Sequence, residues 1–454
     1  MSRLAAFGLH RPELRAWAMY DLANSAFVTS VITVFYPIYF ASTADQSLPP
    51  GEVTARFATA TTIALAVTAL LSPFLGLLAD HYAVRKKMLA VCLSLALVST
   101  LGLALAPAGA WQVGLLLFGL ANIGASGSFV FYDSLLPHIA SKDEIDRVSA
   151  AGYACGYLGG GTLLAINVAM VLKPEMFGLG DSLNAMRWSF ATVAVWWAVF
   201  SVPLFLRVSE PPGSAEPQDG NASGGGVWSG LRTTFADLKS FDQALLLLFA
   251  FLIYNDGIGT IIRMTGIYGK EVGIDQGTLI KAILVVQFLG IPCTFLFAGL
   301  ASKIGSKPTI GITLLIYTVV TWVAYTMETA TQFWLLALLV ASAQGGCQAL
   351  SRSLFASMIP ERKSSQFFAF FAVAEKFAGV FGAGIFAILV NATGESRQAV
   401  LSLVVFFIIG GLLLSRLDVE KGRRQAEEAN RVDQDARAVR SSTEAPVGED
   451  RGPA

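Results

Sequence analysis

Charge is scarce in this chain. Asp, Glu, Lys and Arg together make up 14% of its 454 residues, and 32 basic side chains cancel 32 acidic ones. With 54% of the residues hydrophobic, that is too little charge to cover a soluble globule of this size. The balance also excludes the basic footprint that nucleic acid requires. Histidine is rarer still: His10, His81 and His138 fall near expected helix ends, and no pair has metal-site spacing. The four cysteines, Cys92, Cys155, Cys293 and Cys347, lie singly in apolar runs and read as small packing residues. There is no phosphate-binding Gly-Lys-Ser/Thr loop, no nucleophile elbow and no zinc-binding helix. Neither an enzyme nor a metal or cofactor is expected.

Long apolar runs are what the chain has. About twelve stretches reach the roughly 20 residues needed to cross about 30 Å of hydrocarbon. Their centres fall near Val28, Ala66, Ala96, Phe118, Gly159, Trp196, Ile253, Phe288, Tyr317, Ala343, Gly379 and Phe406. They lack the alternation of barrel strands, so backbone satisfaction in lipid requires helices. The expected class is an all-α membrane protein with twelve transmembrane helices in two six-helix bundles. Basic residues are concentrated on one set of alternate loops, at about fifteen against about five, which predicts that this side and both termini are cytoplasmic.

Composition divides the chain into a cytoplasmic segment at 1–15, a first bundle at 16–208, a linker at 209–240, a second bundle at 241–416 and a charged tail at 417–454. Glu210-Pro211-Pro212-Gly213 and Ser223-Gly224-Gly225-Gly226 have the composition of a flexible linker. Within it Val227, Trp228, Leu231, Phe235 and Leu238 recur at helical spacing, as in a short helix lying on the inner membrane surface. The tail reads as a frayed helix followed by disorder.

Ionisable groups inside apolar spans are costly, about 2.5 to 3.5 kcal/mol at a helix centre on insertion scales, and therefore mark solute paths, partners or protons. Asp21 lies in the first span and Asp256 in the seventh, Asp133 in the fourth and Arg352 in the tenth. These positions repeat between halves: Tyr20-Asp21 is matched by Tyr254-Asn255-Asp256, and Asp133-Ser134 by Arg352-Ser353. Many secondary transporters are built from such repeats. Arg263 and Lys281, toward the outer halves of their spans, read as snorkelling side chains. The glycines Gly152, Gly156, Gly160 and Gly161 read mainly as close-packing positions.

Six plus six spans with a linker between them resemble the major facilitator superfamily. Several segments resemble its branch of autophagy-related vacuolar amino-acid effluxers and their bacterial relatives. They are Trp17-Ala18-Met19-Tyr20-Asp21-Leu22-Ala23-Asn24-Ser25, Ser149-Ala150-Ala151-Gly152-Tyr153-Ala154-Cys155-Gly156, Tyr254-Asn255-Asp256-Gly257, and Gln344-Gly345-Gly346-Cys347-Gln348-Ala349-Leu350-Ser351-Arg352-Ser353. In the loop after the second span, Gly76, Asp80 and Arg85-Lys86-Lys87 match the superfamily signature, while Ala83 and Val84 replace its central Gly and Arg. The counterpart after the eighth span keeps Gly305 and Lys307 but has Ala298 and Ser302 where Gly and Asp are expected.

The resemblance implies a central cavity lined by spans 1, 4, 7 and 10, so Asp21, Asn24, Asn255, Asp256, Gln344, Gln348 and Arg352 are the expected solute-binding residues. Asp80, Asp133, Arg352, Glu375 and Lys376 are expected to couple protons or form a gate. Asp133 and Arg352, near the inner ends of their spans, fit either a gating ion pair or solute contact. A zwitterion needs an acceptor for its ammonium group and a fork for its carboxylate, which Asp and Arg on opposed halves provide. Glu375 and Lys376, being adjacent, point about 100° apart on a helix. The expected function is secondary active transport of a small polar solute by alternating access, with export of amino acids or similar zwitterions coupled to protons implied by the resemblance, by a monomer in the lipid bilayer of the cell membrane. A sensor or assembly factor on the same fold, or an exporter of drug-like or other solutes, is the alternative.

Overall fold

A computed structural model describes residues 3–43, 50–107, 109–212, 239–377, 380–393 and 396–443. Among these, twelve helices are long and apolar enough to cross a membrane. They are α1 (Pro12–Thr43), α2 (Thr59–Tyr82), α3 (Arg85–Leu105), α4 (Trp111–Ile139), α5 (Ile145–Leu172) and α6 (Ser182–Arg207) in the first half. In the second half they are α7 (Asp242–Met264), α8 (Gly277–Ile304), α9 (Ser306–Tyr325), α10 (Ala330–Ala356), α11 (Glu361–Thr393) and α12 (Ser396–Ser415). Each expected centre lies between the ends of its helix, although Gly379 itself is outside the described residues.

The first span is not uniform. Phe27–Phe35 winds as a π-helix between two α-helical stretches, Pro12–Ala26 and Tyr36–Thr43. Six of its nine residues, Val28, Thr29, Val31, Ile32, Thr33 and Val34, are β-branched, a type that crowds a regular α-helical turn. The Thr33 hydroxyl donates to the Val28 carbonyl five residues back at 2.8 Å, which supports the wider turn.

Within each half the loop between its second and third helices locks the end of its sixth. Lys86, at the start of α3, donates to the carbonyls of Phe205 and Val208 at 3.0 and 2.5 Å. Lys307, at the start of α9, donates to those of Ser415 and Leu417 at 2.8 and 2.7 Å. Each lysine meets orphan carbonyls at a helix C-terminus, where a cation is favourable. These equivalent locks bear out the internal repeat.

The two halves meet along α5 with α8 and along α2 with α11, while α1 packs on α5 and α6. The α1–α5 seam is close because α5 has no side chain there. A Cβ on Gly159 would lie 2.1 Å from the Leu22 carbonyl oxygen, and one on Gly156 would lie 2.6 Å from the Ser25 hydroxyl. In this structure the α5 glycines permit packing, as the sequence suggested.

Beyond α12 a further helix, α13 (Val419–Thr443), replaces the fraying expected of the tail. Gly422, Ala426 and Asp433 share a buried stripe at helical spacing, and small residues let the helix lie close to the bundle. Polar contacts fix it: Lys421 pairs with Asp242 at 2.6 Å, Asn430 accepts the Glu361 amide at 3.0 Å, and Arg362 lies 3.5 Å from Asp433. The helix that Val227, Trp228, Leu231, Phe235 and Leu238 were expected to form lies outside the described residues.

Replacing Gly159 by Ala should force α1 and α5 apart, at about 1–3 kcal/mol for overpacking or more against a fixed carbonyl. The check is thermal unfolding of the purified protein in detergent, where the variant should melt several degrees lower than the wild type, a range set by ~2–4 °C per kcal/mol.

Candidate translocation site and its gate

Arg352 sits one turn from the end of α10 and is buried. Its Nη1 donates to Asp133 of α4 at 3.0 Å and its Nη2 to Asp21 of α1 at 3.2 Å. Ser149 of α5 takes two further bonds, from Nε to its hydroxyl and from Nη2 to its carbonyl, both at 3.0 Å. The guanidinium carbon lies 4.4 Å from the Tyr153 ring centroid, 4.8 Å from Trp17 and 5.7 Å from Tyr132. One cation is thus held by two carboxylates, a serine and three aromatic rings. The expected Asp133–Arg352 pair forms, Asp21 joins it, and all three groups bridge the halves.

A second bridge stands at the same end of the bundle. Asp80 and Arg85 are fully buried and pair at 2.7 Å. Asp80 also accepts the amides of Ser365 and Gln366 on α11, at 3.1 and 2.9 Å. Arg85 donates to the Ser365 hydroxyl at 3.1 Å, the Arg362 carbonyl at 3.1 Å and the Pro212 carbonyl at 3.3 Å, so the start of the linker is folded onto the gate. Gly76 makes the contact possible, since a Cβ there would meet the Ser365 carbonyl oxygen at 2.6 Å. Ala83, where the superfamily signature has Gly, takes φ +52°. That left-handed conformation costs a residue with a Cβ roughly 1–2 kcal/mol.

The counterpart after α8 has no Asp of its own, and α5 supplies the carboxylate instead. Asp146 accepts from Ser306 of α9 at 2.6 Å and from Ser353 of α10 at 2.5 Å. His138 and Ser364 add a further link at 3.2 Å. The hydrogen bonds between halves therefore cluster at the basic end of the bundle, which is closed. Helix α13 braces this closure. Asp433 lies against Arg362, whose carbonyl holds Arg85, Arg423 donates to Ser357 at 3.4 Å, and Glu427 pairs with Lys142 of the first half.

Other candidates are more dispersed. Asn24 donates to Asp21 at 3.4 Å, beside the Arg352 cluster. Gln348 donates to Asn255 at 2.6 Å, joining α10 to α7, and Gln344 is half-buried one turn away. Asp256, the deepest of the expected cavity residues, is buried against α11, where its carboxylate accepts the amides of Phe381 and Gly382 at 3.2 and 2.5 Å. Lys376 of α11 lies 4.9 Å over the Phe129 ring of α4. Glu375 is half-buried and has no hydrogen bond or ion pair among the described residues. A small hollow of about 30 Å³, lined by apolar residues such as Ile261, Met264 and Leu336, touches none of these groups. In this closed arrangement Asp21, Asp133 and Arg352 face one another, while Asp80 and Asp256 are taken up by Arg85 and by backbone amides.

Comparison with known proteins is consistent with this geometry. The proton:xylose symporter XylE, bound to 6-bromo-6-deoxy-D-glucose, superposes with a TM-score of 0.65 at 13% identity, covering 91% of this chain and 96% of its own. A bacterial homologue of the iron transporter ferroportin in an outward-facing state gives 0.63 at 14% identity, covering 90% and 99%. Such likeness defines a major facilitator fold. In sequence, residues 52–427 match the family model described as vacuole effluxer Atg22 like. The MFS-type transporter YxiO of Bacillus subtilis is 33% identical over 91% of this chain and 97% of its own length. Autophagy-related protein 22 of Pyricularia oryzae is 22% identical over 92% and 77%. The chain belongs to the Atg22-like family of major facilitator transporters, and it is an integral multi-pass membrane protein rather than an enzyme.

The basic end also carries a titratable anchor outside the spans. Glu144 accepts the Ser141 amide at 3.0 Å and pairs with Arg11, with His10 at 3.5 Å. Partial burial raises its pKa, but the Ser141 bond and the Arg11 charge outweigh this and hold it below the ordinary 4.5. A depressed carboxylate contributes stability above its unfolded value and loses it as pH falls through the folded one. Glu144→Gln should lower the melting temperature at pH 7, by an amount corresponding to at most about 1 kcal/mol for so exposed a pair. The difference should shrink as pH falls below the ordinary 4.5 and vanish once the folded carboxylate is protonated.

Proposed function

We propose that this protein exports amino acids or similar small zwitterions across the cell membrane by proton-coupled alternating access, working as a monomer with both termini in the cytoplasm. The observation that carries this reading is the burial of Arg352 from one half between Asp21 and Asp133 of the other. Opening the basic end separates these charges. The freed carboxylates then accept an ammonium group, and the freed fork accepts a carboxylate bidentately. Asn24, Asn255, Gln344 and Gln348 line the adjoining helices and supply neutral donors and acceptors, with Asp256 setting α7 against α11. The family description as an effluxer and the similarity to autophagy-related protein 22 support the direction and the solute class.

Glu375 suits a proton carrier, because it is a half-buried carboxylate that the described hydrogen bonds and ion pairs leave uncommitted. Proton binding there, or at Asp133 when Arg352 withdraws, biases the rocking equilibrium through differential affinity for the two states. Lys376, held over Phe129, and Asp80, held by Arg85, complete the set of groups whose pairing changes as the halves move.

Reconstitution into proteoliposomes tests this. Amino acids should give counterflow, and Glu375→Gln should retain counterflow while losing uphill accumulation under an imposed pH gradient. Absence of counterflow for every amino acid would remove the solute assignment. Undiminished accumulation by Glu375→Gln would remove Glu375 as the carrier.

A further inference from the structure

The partners of the Arg352 guanidinium come from a single half of the protein. Asp21 and Trp17 lie on α1, Asp133 and Tyr132 on α4, and Ser149 and Tyr153 on α5. The first bundle therefore contains a guanidinium receptor, and the second bundle supplies its occupant. Gly152 keeps the receptor open: a Cβ there would lie 2.5 Å from an Asp21 carboxylate oxygen and 2.9 Å from Arg352 Nη2.

The geometry points to this receptor as the recognition site for a solute bearing a guanidinium group, an arginine-like compound that takes the place of Arg352 when the basic end opens. This deepens the transporter reading and rests on it. Withdrawal of Arg352 leaves Asp21 and Asp133 close together without the cation they share, and two neighbouring like charges favour a replacement cation. A cation of the same shape compensates them. A compact ammonium would meet the carboxylates but lose the planar fork that also reaches Ser149, and with it the stacking on the rings. The site consequently ranks guanidinium above ammonium, and ammonium above neutral side chains. Solute and Arg352 cannot both occupy it, so a bound solute keeps the basic end open until it leaves.

Two measurements on the full-length protein test the proposal. In the first, ethylguanidinium is titrated against purified Arg352→Ala at constant ionic strength. Its melting temperature should rise by several degrees and saturate, while the wild type, whose receptor is filled, should barely respond. The double variant Arg352→Ala/Gly152→Leu, with the receptor blocked, should not respond. An equal shift in all three proteins, or none in Arg352→Ala, would overturn the proposal.

The second measurement needs only wild-type protein and so survives failure of the variants to fold. Proteoliposomes loaded with arginine should exchange labelled arginine at least tenfold faster than leucine-loaded ones exchange leucine. Leucine exchange without arginine exchange would overturn the receptor assignment while leaving the transporter reading intact. If no solute exchanged, the transporter reading itself would fall, and a saturable ethylguanidinium shift would then support the receptor alone.

Discussion

A charge removed from water must be met by another, and the closed end of this molecule is arranged around that requirement. Arg352 and Arg85 are both buried, and each is matched by carboxylate and by neutral acceptors until most of its donors are used. Desolvating such groups costs several kcal/mol per ion, which close pairing offsets only when the geometry is good. Buried pairs of this kind contribute little net stability. In this arrangement both buried arginines meet carboxylates, Arg352 across the halves and Arg85 within the loop that reaches α11.

The internal repeat explains both the symmetry and its breakdown. Lys86 and Lys307 do the same work in the two halves, binding the last carbonyls of α6 and α12. The gate loops beside them differ. The first keeps its own acid, Asp80, and reaches across to amides of α11, whereas the second offers only the Ser306 hydroxyl and borrows Asp146 from the opposite half. One gate is an ion pair buried under the loop, and the other is a pair of hydroxyl bonds to a single carboxylate. The hydroxyl bridge lies beside Arg352, so the α5–α10 side of the interface adds Asp146 to the acids that meet across the halves.

Much of this was legible in the sequence because hydrocarbon is an unforgiving solvent. Spans show themselves by hydropathy alone, and Asp21, Asp133 and Arg352 stood out because charges inside spans are so few. Their assembly into one cluster was only partly foreseen, since helices that are apolar on every side carry no mark of which face meets which neighbour. Asp256 illustrates the gap: its depth was evident, its engagement with the Phe381 and Gly382 amides was not. Asp146 was passed over because it lies at a span boundary, where charge is cheap and uninformative. Ser149 and Tyr153 lay within a segment singled out for resemblance, yet only packing shows that they surround a guanidinium. In the tail, abundant charge masked the period of Gly422, Ala426 and Asp433, which signals a docked helix.

The π-helical stretch of α1 carries a mechanical consequence. A π turn holds more residues than an α turn, so the nine residues from Phe27 to Phe35 wind through less rotation than regular helix would. Tightening that stretch would screw the far end, with Tyr36, Tyr39 and Phe40, around the axis relative to Trp17 and Asp21. Any change of pitch in that stretch would therefore turn the aromatic crown of α1 against its acidic foot, as twisting one end of a rod turns the other.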